Sequence, residues 1–303
     1  MTMRFDGRVA IVTGAGGGLG RAHALAFARL GARVVVNDLG AALDGTGGAS
    51  EAAGKVVEEI RAGGGEAVAN GASVADPEGA RQLIADAIEA FGRVDILVNN
   101  AGILRDKTFA KMSLEDFAAV LDVHLMGSVL CTHAAWPSMR EQGYGRVVFT
   151  TSSSGLYGNF GQSNYGAAKM GLVGLMNVLR LEGARDGIHV NAVAPIATTR
   201  MTEDLFPAQI RDLFAPELVT PAVLFLAHEK APNGQILSAG GGHFACARMV
   251  ETKGSYLGPA ATPEAIAAAW DGIADMSGAE PLENGPAQTQ KFALAAMTAM
   301  ARE

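Results

Sequence analysis

Along the first two-thirds of the chain, short apolar runs alternate with segments patterned as helices. Arg8–Thr13 is a short apolar β-rich run, followed by a glycine loop and a helical pattern to Leu30. Arg33–Asn37 predicts a second strand, and Glu51–Ala62 a helix that Gly63-Gly64-Gly65 stops. Glu66–Ala69 follows as a third strand, a helix opens at Pro77 and ends near Phe91-Gly92, and Val94–Asn99 is a fourth strand. Leu114–Met139 reads as a long helix pair, Gly145–Ser152 as a fifth strand and Tyr165–Asp186 as a helix. Val190–Val193 and Gln235–Ser238 give a sixth and a seventh strand. Continuous apolar strands alternating with helices imply a parallel sheet covered on both faces. The expected fold is therefore α/β, a doubly wound parallel sheet of Rossmann type with about seven strands, binding its ligands at the carboxyl ends of the strands.

The alternation stops near Gly242. Residues 243–303 predict a helical extension, with Thr262–Ala274 opening on Thr-Pro-Glu and a last helix from about Ala287 to Met300. The expected division is a catalytic, dinucleotide-binding domain over 1–242 and this extension. Gly40–Gly54 is a low-complexity Gly/Ala loop.

Composition narrows the classes. A net charge of −7 over 303 residues argues against nucleic-acid binding, which wants a basic surface. No apolar run reaches the length of a membrane span, and the first residues lack a signal-peptide pattern. Cys131 and Cys246 make no disulfide framework and have no metal-ligand spacing, so no metal is expected. The C-terminal Ala-Arg-Glu is no peroxisomal address, and the expected location is the cytoplasm.

The candidate chemistry lies in three places. Thr13-Gly14-Ala15-Gly16-Gly17-Gly18-Leu19-Gly20 joins the first strand to the first helix. Glycines there let backbone N–H groups approach a pyrophosphate at the positive helix N-terminus. Asp38, at the end of the second strand and eighteen residues after Gly20, is placed to accept ribose hydroxyls and repel a 2′-phosphate, which favours NAD over NADP. An ordinary turn aspartate is the other reading. Tyr165 and Lys169 stand four residues apart, on one face of a helix, and Ser152 ends an apolar strand. A cation near the phenol lowers its pKa from about 10 and makes it a workable base. Tyr-x-x-x-Lys also arises by chance in many helices, so the glycine loop and strand order supply its meaning.

These residues, with Asn99-Asn100-Ala101-Gly102, resemble the short-chain dehydrogenase/reductase family over residues 5–242. The resemblance implies that Tyr165 is the acid/base, that Ser152 orients the substrate oxygen, and that Lys169 holds the nicotinamide ribose. It implies cofactor contacts from Gly14, Gly16, Gly18, Leu19, Gly20, Asp38, Ser73, Val74, Asn100, Ala101, Gly102, Tyr165, Lys169, Pro195 and Thr198.

Val-Asn-Asp-Leu-Gly at 36–40, Asn-Asn-Ala-Gly-Ile-Leu-Arg-Asp at 99–106, Val-His-Leu at 123–125 and Tyr-Gly-Asn-Phe-Gly-Gln at 157–162 carry a narrower likeness, which continues through Arg200-Met201-Thr202. They resemble the (3R)-hydroxyacyl-CoA dehydrogenase part of peroxisomal multifunctional enzymes. That likeness implies an acyl-CoA or lipid-like alcohol as substrate and a homodimer or homotetramer in which the C-terminal segment helps to shape the site. Steroids and other secondary alcohols remain as alternatives, and so does a non-catalytic NAD-binding regulatory protein. Three positions depart from the wider family: His124 for Asn, Ala72 for Asp and Pro195-Ile196 for Pro-Gly. His124 is either a member of the catalytic set or a packed core histidine. Arg105, Lys107, Lys111 and Arg200 are candidates for the CoA phosphates, and equally for a solvated face.

Overall fold

In a computed structural model, residues 3–42, 44–46, 51–199 and 207–301 are described. The strands are β1 (Val9–Thr13), β2 (Arg33–Asn37), β3 (Ala67–Asn70), β4 (Ile96–Asn99), β5 (Gly145–Thr150), β6 (Ile188–Pro195), β7 (Ile236–Gly240) and β8 (His243–Ala247). They lie in one sheet in the order β3-β2-β1-β4-β5-β6-β7-β8. β1 to β7 pair in parallel, with Val12 opposite Val36 on one side and Val98 on the other. The sheet thus has one strand more than the pattern predicts, since β8 follows β7 after Gly241-Gly242. All five of its residues carry some exposure, so it lacks the buried apolar run that marks the other strands.

β1, β4 and β5 are buried at every position. Parallel strands need this, because helices cover both faces. The helices of the larger part are α1 (Gly18–Arg29), α2 (Glu51–Ala62), α3 (Pro77–Phe91), α4 (Leu114–Leu121), α5 (Gly127–Gln142), α6 (Ser153–Tyr157), α7 (Ser163–Glu182) and α8 (Thr220–Ala227). α3 shows how local chemistry sets an end: Asp76 accepts from the N–H groups of Glu78 and Gly79, Pro77 takes the first position, and Gly92 closes the helix in the left-handed region at φ 79°. The core between α1, α2, α8 and the sheet is built from Phe5, Phe27, Val34, Val36, Ile60, Ile96, Val98, Val223 and Leu226.

The predicted helix pair Leu114–Met139 is one helical run, α4 and α5 joined by a π-helical turn over Asp122–Met126. By length and composition alone Leu114–Gln142 is apolar enough to cross a membrane, which corrects the expectation that no run reaches that length. Here it packs along α3 and α7.

The chain divides into two compact units, Met1–Cys246 and Ala247–Glu303, four residues beyond the division the pattern suggests. The smaller unit holds α9 (Pro263–Ala268), α10 (Trp270–Ile273) and α11 (Gly285–Met300). Thr262 and Asn284 cap α9 and α11, and Lys291 pairs with Glu251 at 2.9 Å. α11 has no buried residue.

The strand order reverses between β1 and β4: the chain runs outward from β1 through β2 to β3, then returns to the other side of β1 as β4. Loops leaving the carboxyl ends of β1 and β4 there part to opposite faces and leave a crevice.

Candidate active site

The crevice begins where Thr13 ties β1 to β4. Its Oγ1 accepts the N–H groups of Asn100 at 2.9 Å and Ala101 at 3.0 Å, and the Asn100 amide donates to the carbonyls of Thr13 and Gly14. The loop after β1 therefore presses on the loop after β4. Gly14 has φ 62°, and a Cβ there would sit 2.8 Å from Ala101 Cα, so glycine is required on both counts. A Cβ on Gly20 would lie 2.3 Å from the Gly14 carbonyl oxygen. Gly17 precedes α1 in extended conformation and supplies no side-chain cap, which leaves the first-turn N–H groups open beside the cavity. These donors and the helix dipole suit an anionic pyrophosphate.

The cavity measures about 930 Å³ and runs from the glycine loop to the carboxyl end of β6. Gly14, Gly17, Gly18 and Leu19 line one part of it. Gly16 and Gly20, expected as cofactor contacts, do not line it: Gly16 donates its N–H to Asp38, and Gly20 allows the close packing just described. Asp38 does line it. Its Oδ2 accepts from Gly16 N at 2.8 Å and its Oδ1 from Gly40 N at 2.7 Å, so backbone donors aim the carboxylate from both sides. Ala72, Ser73 and Val74 form the next wall. Buried Asn70 and Asn37 hold that segment by its backbone: Asn70 Oδ1 accepts from Ala72 N at 3.0 Å, and Asn37 donates to Ala72 O at 2.9 Å. A cavity with this donor set, carboxylate and length fits a dinucleotide.

At the far end β5 and α7 bring Ser152, Tyr165 and Lys169 into the same cavity, with His124 from the π-helical turn. Ser152 Oγ accepts the Ser154 N–H at 3.1 Å, which opens α6. Lys169 is buried; Nζ donates to Thr150 O at 2.5 Å and lies 5.4 Å from the centroid of the Tyr165 ring. Burial pulls the Lys169 pKa down to about 7. Burial also raises the Tyr165 pKa; a hydrogen bond with Ser152 works against this, and the Asp106 charge adds to it. Against the expectation that Lys169 lowers the phenol pKa, the loss of water on burial outweighs the hydrogen bond with Ser152 and leaves it raised.

His124 Nε2 sits 2.8 Å from Ile103 O and 3.1 Å from Ile103 N, and Nδ1 is buried with no partner. Burial, then the Lys169 charge, holds its pKa well below the usual histidine range, so the ring is neutral. It meets Tyr165 edge to face at 5.1 Å, and a Cβ on Gly102 would come within 2.2 Å of its Cε1. Gly102 thus makes room for the ring.

The loop after β4 is stitched to the start of α7. Asn164 donates to Arg105 O at 3.1 Å and accepts the Tyr165 N–H at 2.7 Å. Lys107 N donates to Gly161 O at 3.0 Å, and Gln162 Nε2 donates to Asp106 Oδ2 at 2.5 Å. Of the phosphate candidates, Arg105 lines the cavity and Lys107 does not, and both pair with Asp116, at 3.0 and 3.1 Å. Lys111 does not line the cavity, and Arg200 lies outside the described residues, as do Met201 and Thr202. Asn100, Ala101, Gly102 and Pro195 line the cavity as expected, but Thr198 does not: its hydroxyl donates to Arg211 O, and Thr199 is the cavity residue. Asp106, Gln162, Asn159 and Phe160 also line it and were not anticipated. Asp106 and Gln162 close the motifs at 99–106 and 157–162, and that placement was the available signal.

Residues 8–210 match the short chain dehydrogenase family. A short-chain type dehydrogenase/reductase of Mycobacterium tuberculosis, Rv0148, is 54% identical over 90% of this chain and 96% of its own. The peroxisomal multifunctional enzyme type 2 of Mus musculus is 50% identical over 91% of this chain, which spans only 38% of that protein. Among solved structures, a 7α-hydroxysteroid dehydrogenase complexed with NADH and 7-oxo glycochenodeoxycholic acid is 31% identical, with a TM-score of 0.71 over 79% of this chain and 95% of that one.

Proposed function

From the premise that this chain belongs to the short-chain dehydrogenase/reductase family and is a nicotinamide-dependent oxidoreductase, we propose that it interconverts a (3R)-3-hydroxyacyl-CoA and the 3-oxoacyl-CoA with NAD. The observation that carries the chemistry is the convergence of Ser152, Tyr165 and Lys169 on one wall of a cavity whose other end is the glycine loop and Asp38.

A bound nicotinamide supplies the hydride acceptor for alcohol oxidation and the donor for ketone reduction. Tyr165 Oη gives its proton to the carbonyl oxygen in reduction and takes it back in oxidation. The raised pKa keeps the phenol protonated at neutral pH, the state that reduction needs. Ser152 Oγ holds the same substrate oxygen. Lys169 Nζ, anchored by Thr150 O, would bind the ribose hydroxyls and stabilise negative charge developing on the phenol. His124 acts as a positioning residue: it fixes Ile103 on one side and meets the Tyr165 ring on the other. Asp38 favours NAD, because its carboxylate accepts ribose hydroxyls and repels a 2′-phosphate.

The acyl-CoA reading draws on the 50% identity to a peroxisomal multifunctional enzyme and on the sequence resemblance. Arg105 lines the cavity and Lys107 does not, and both pair with Asp116, so a CoA phosphate held by either would share it with that carboxylate. A hydroxysteroid is the second reading, favoured by the steroid-bound neighbour. We also propose a homodimer through α5 and α7, where Val178 and Leu181 stand half exposed, and a reducing location such as the cytoplasm, consistent with two free cysteines. The test is NAD reduction at 340 nm with (3R)- and (3S)-3-hydroxyacyl-CoAs and a hydroxysteroid panel. Turnover of the (3R)-thioesters supports the proposal. Turnover confined to steroids moves it to the second reading.

A further inference from the structure

Three charged residues stand in a row after β4: Arg105, Asp106 and Lys107. The flanking cations do not neutralise the anion between them. Arg105 Nη1 and Lys107 Nζ both reach Asp116, on α4, and Arg105 Nε donates to the Asp44 carbonyl. Among the described residues Asp106 enters no ion pair. Its partner is neutral: Gln162 Nε2 donates to Oδ2 at 2.5 Å. The Gln162 amide is in turn oriented through its own oxygen, which accepts from Ser154 Oγ at 2.7 Å and Asn159 Nδ2 at 3.0 Å. An unbroken hydrogen-bonded series thus runs from Ser152 through Ser154 and Gln162 to Asp106.

Asp106, Gln162, Ser152 and Tyr165 line the same cavity. Asp106 is near enough for its charge to oppose ionisation of the Tyr165 phenol. A substrate with its reacting oxygen at Ser152 and Tyr165 shares its cavity with that exposed carboxylate, and it displaces screening water where it fills the space between them. An acid bearing its carboxylate two carbons from the reacting carbon would bring a second anion there. A thioester or ester at the same position is uncharged.

Resting on the reading of Tyr165 and Ser152 as the reacting site, we infer that Asp106 is a specificity-determining residue: it admits substrates whose carboxyl group, two carbons from the reacting carbon, is esterified and rejects free 3-hydroxy and 3-oxo acids. Specificity of this kind comes from repulsion of the wrong ligand, not from a stronger hold on the right one. The same arrangement gives Asp116 a part in it, since it draws off the two cations that would otherwise invite an acid.

The probe pair is acetoacetate and methyl acetoacetate, alike at the reacting ketone and different by one charge. Two readouts are taken on the whole chain: NADH oxidation, and binding to the enzyme–NADH complex by fluorescence, which needs no turnover. The wild type should favour the ester by tenfold or more. Asp106→Asn, with a melting temperature within about 2 °C of the wild type, should reduce that preference at least fivefold, chiefly through a gain for the acid. Asp116→Asn, which frees Arg105 and Lys107, should move it in the same direction. Equal handling of the two probes by the wild type, or a preference unmoved by Asp106→Asn, overturns the inference. Ester preference without turnover of any 3-hydroxyacyl-CoA would overturn the acyl-CoA reading alone and leave the role of Asp106 standing.

Discussion

The imidazole of His124 meets the ring of Tyr165 edge to face, with centroids 5.1 Å apart and an interplanar angle of 86°. The same imidazole hydrogen-bonds the Ile103 backbone, so one side chain links the wall formed by the loop after β4 to the ring of the proposed acid/base. Such an aromatic contact is worth roughly 0.5–1.5 kcal/mol beyond the area it buries.

His124→Ala should therefore lower kcat about tenfold or more, with a smaller change in cofactor affinity, because the phenol loses its lateral support. His124→Asn, which keeps a donor for Ile103, should recover part of the loss. Steady-state kinetics of the two variants checks this. A kcat equal to the wild type in His124→Ala would leave the histidine with a packing role only.

Asp38 should set the cofactor. With the carboxylate intact, kcat/KM for NAD should exceed that for NADP at least tenfold, which corresponds to about 1.4 kcal/mol. Asp38→Ala should narrow the ratio, since both the acceptor for the ribose hydroxyls and the repulsion of a 2′-phosphate are removed. Initial rates with both cofactors decide it, and a preference for NADP in the wild type would refute the assignment.

Lys169 makes stability depend on pH. Its folded pKa is about 7, against about 10.4 in an unfolded chain. Between those values the unfolded chain holds a proton that the folded one has released, so stability rises with pH across that window. Below pH 7 the buried ammonium carries its full desolvation cost. Lys169→Met removes this titration. In the cofactor-free protein, the urea midpoint of the wild type relative to Lys169→Met should increase between pH 7 and pH 9.5. A difference that stays constant would contradict the depressed pKa.

His23 acts at the acid side. It is buried against Thr220, at 2.9 Å, with a pKa pulled down to about 3 by burial. An unfolded histidine takes up its proton near 6.5, so stability is lost as pH falls below that value toward 3. His23→Asn should flatten this loss in urea titrations at pH 7.5 and pH 5. An unchanged acid sensitivity would assign the loss to other groups.

The parts legible in the sequence are those that local chemistry determines. The apolar runs of β1, β2, β4 and β5, the glycines between Thr13 and Gly20, and the helix-spaced Tyr165 and Lys169 each answer to a nearby constraint, and each occupies its expected element. What was not legible depends on partners distant in the chain. Nothing near Arg105 and Lys107 shows that both turn to Asp116, nine or more residues on. Thr198 and Thr199 are alike as residues, and it is the contacts of Thr198 with Arg211 and Phe214, distant in the chain, that turn it from the cavity and leave Thr199 there. The Tyr165 pKa runs opposite to the expectation from helix spacing, because spacing places the Lys169 charge near the ring without revealing how much water both groups have lost. The strand β8 escaped because its exposed residues carry no buried pattern.

Tyr165→Phe isolates proton transfer at Tyr165, because the substitution removes one oxygen and keeps the ring against His124. In this variant kcat should fall by about a hundred- to ten-thousand-fold, while NADH binding, followed by fluorescence titration, stays within about threefold of the wild type. A Tyr165→Phe variant that retains near-wild-type kcat would contradict proton transfer at Tyr165.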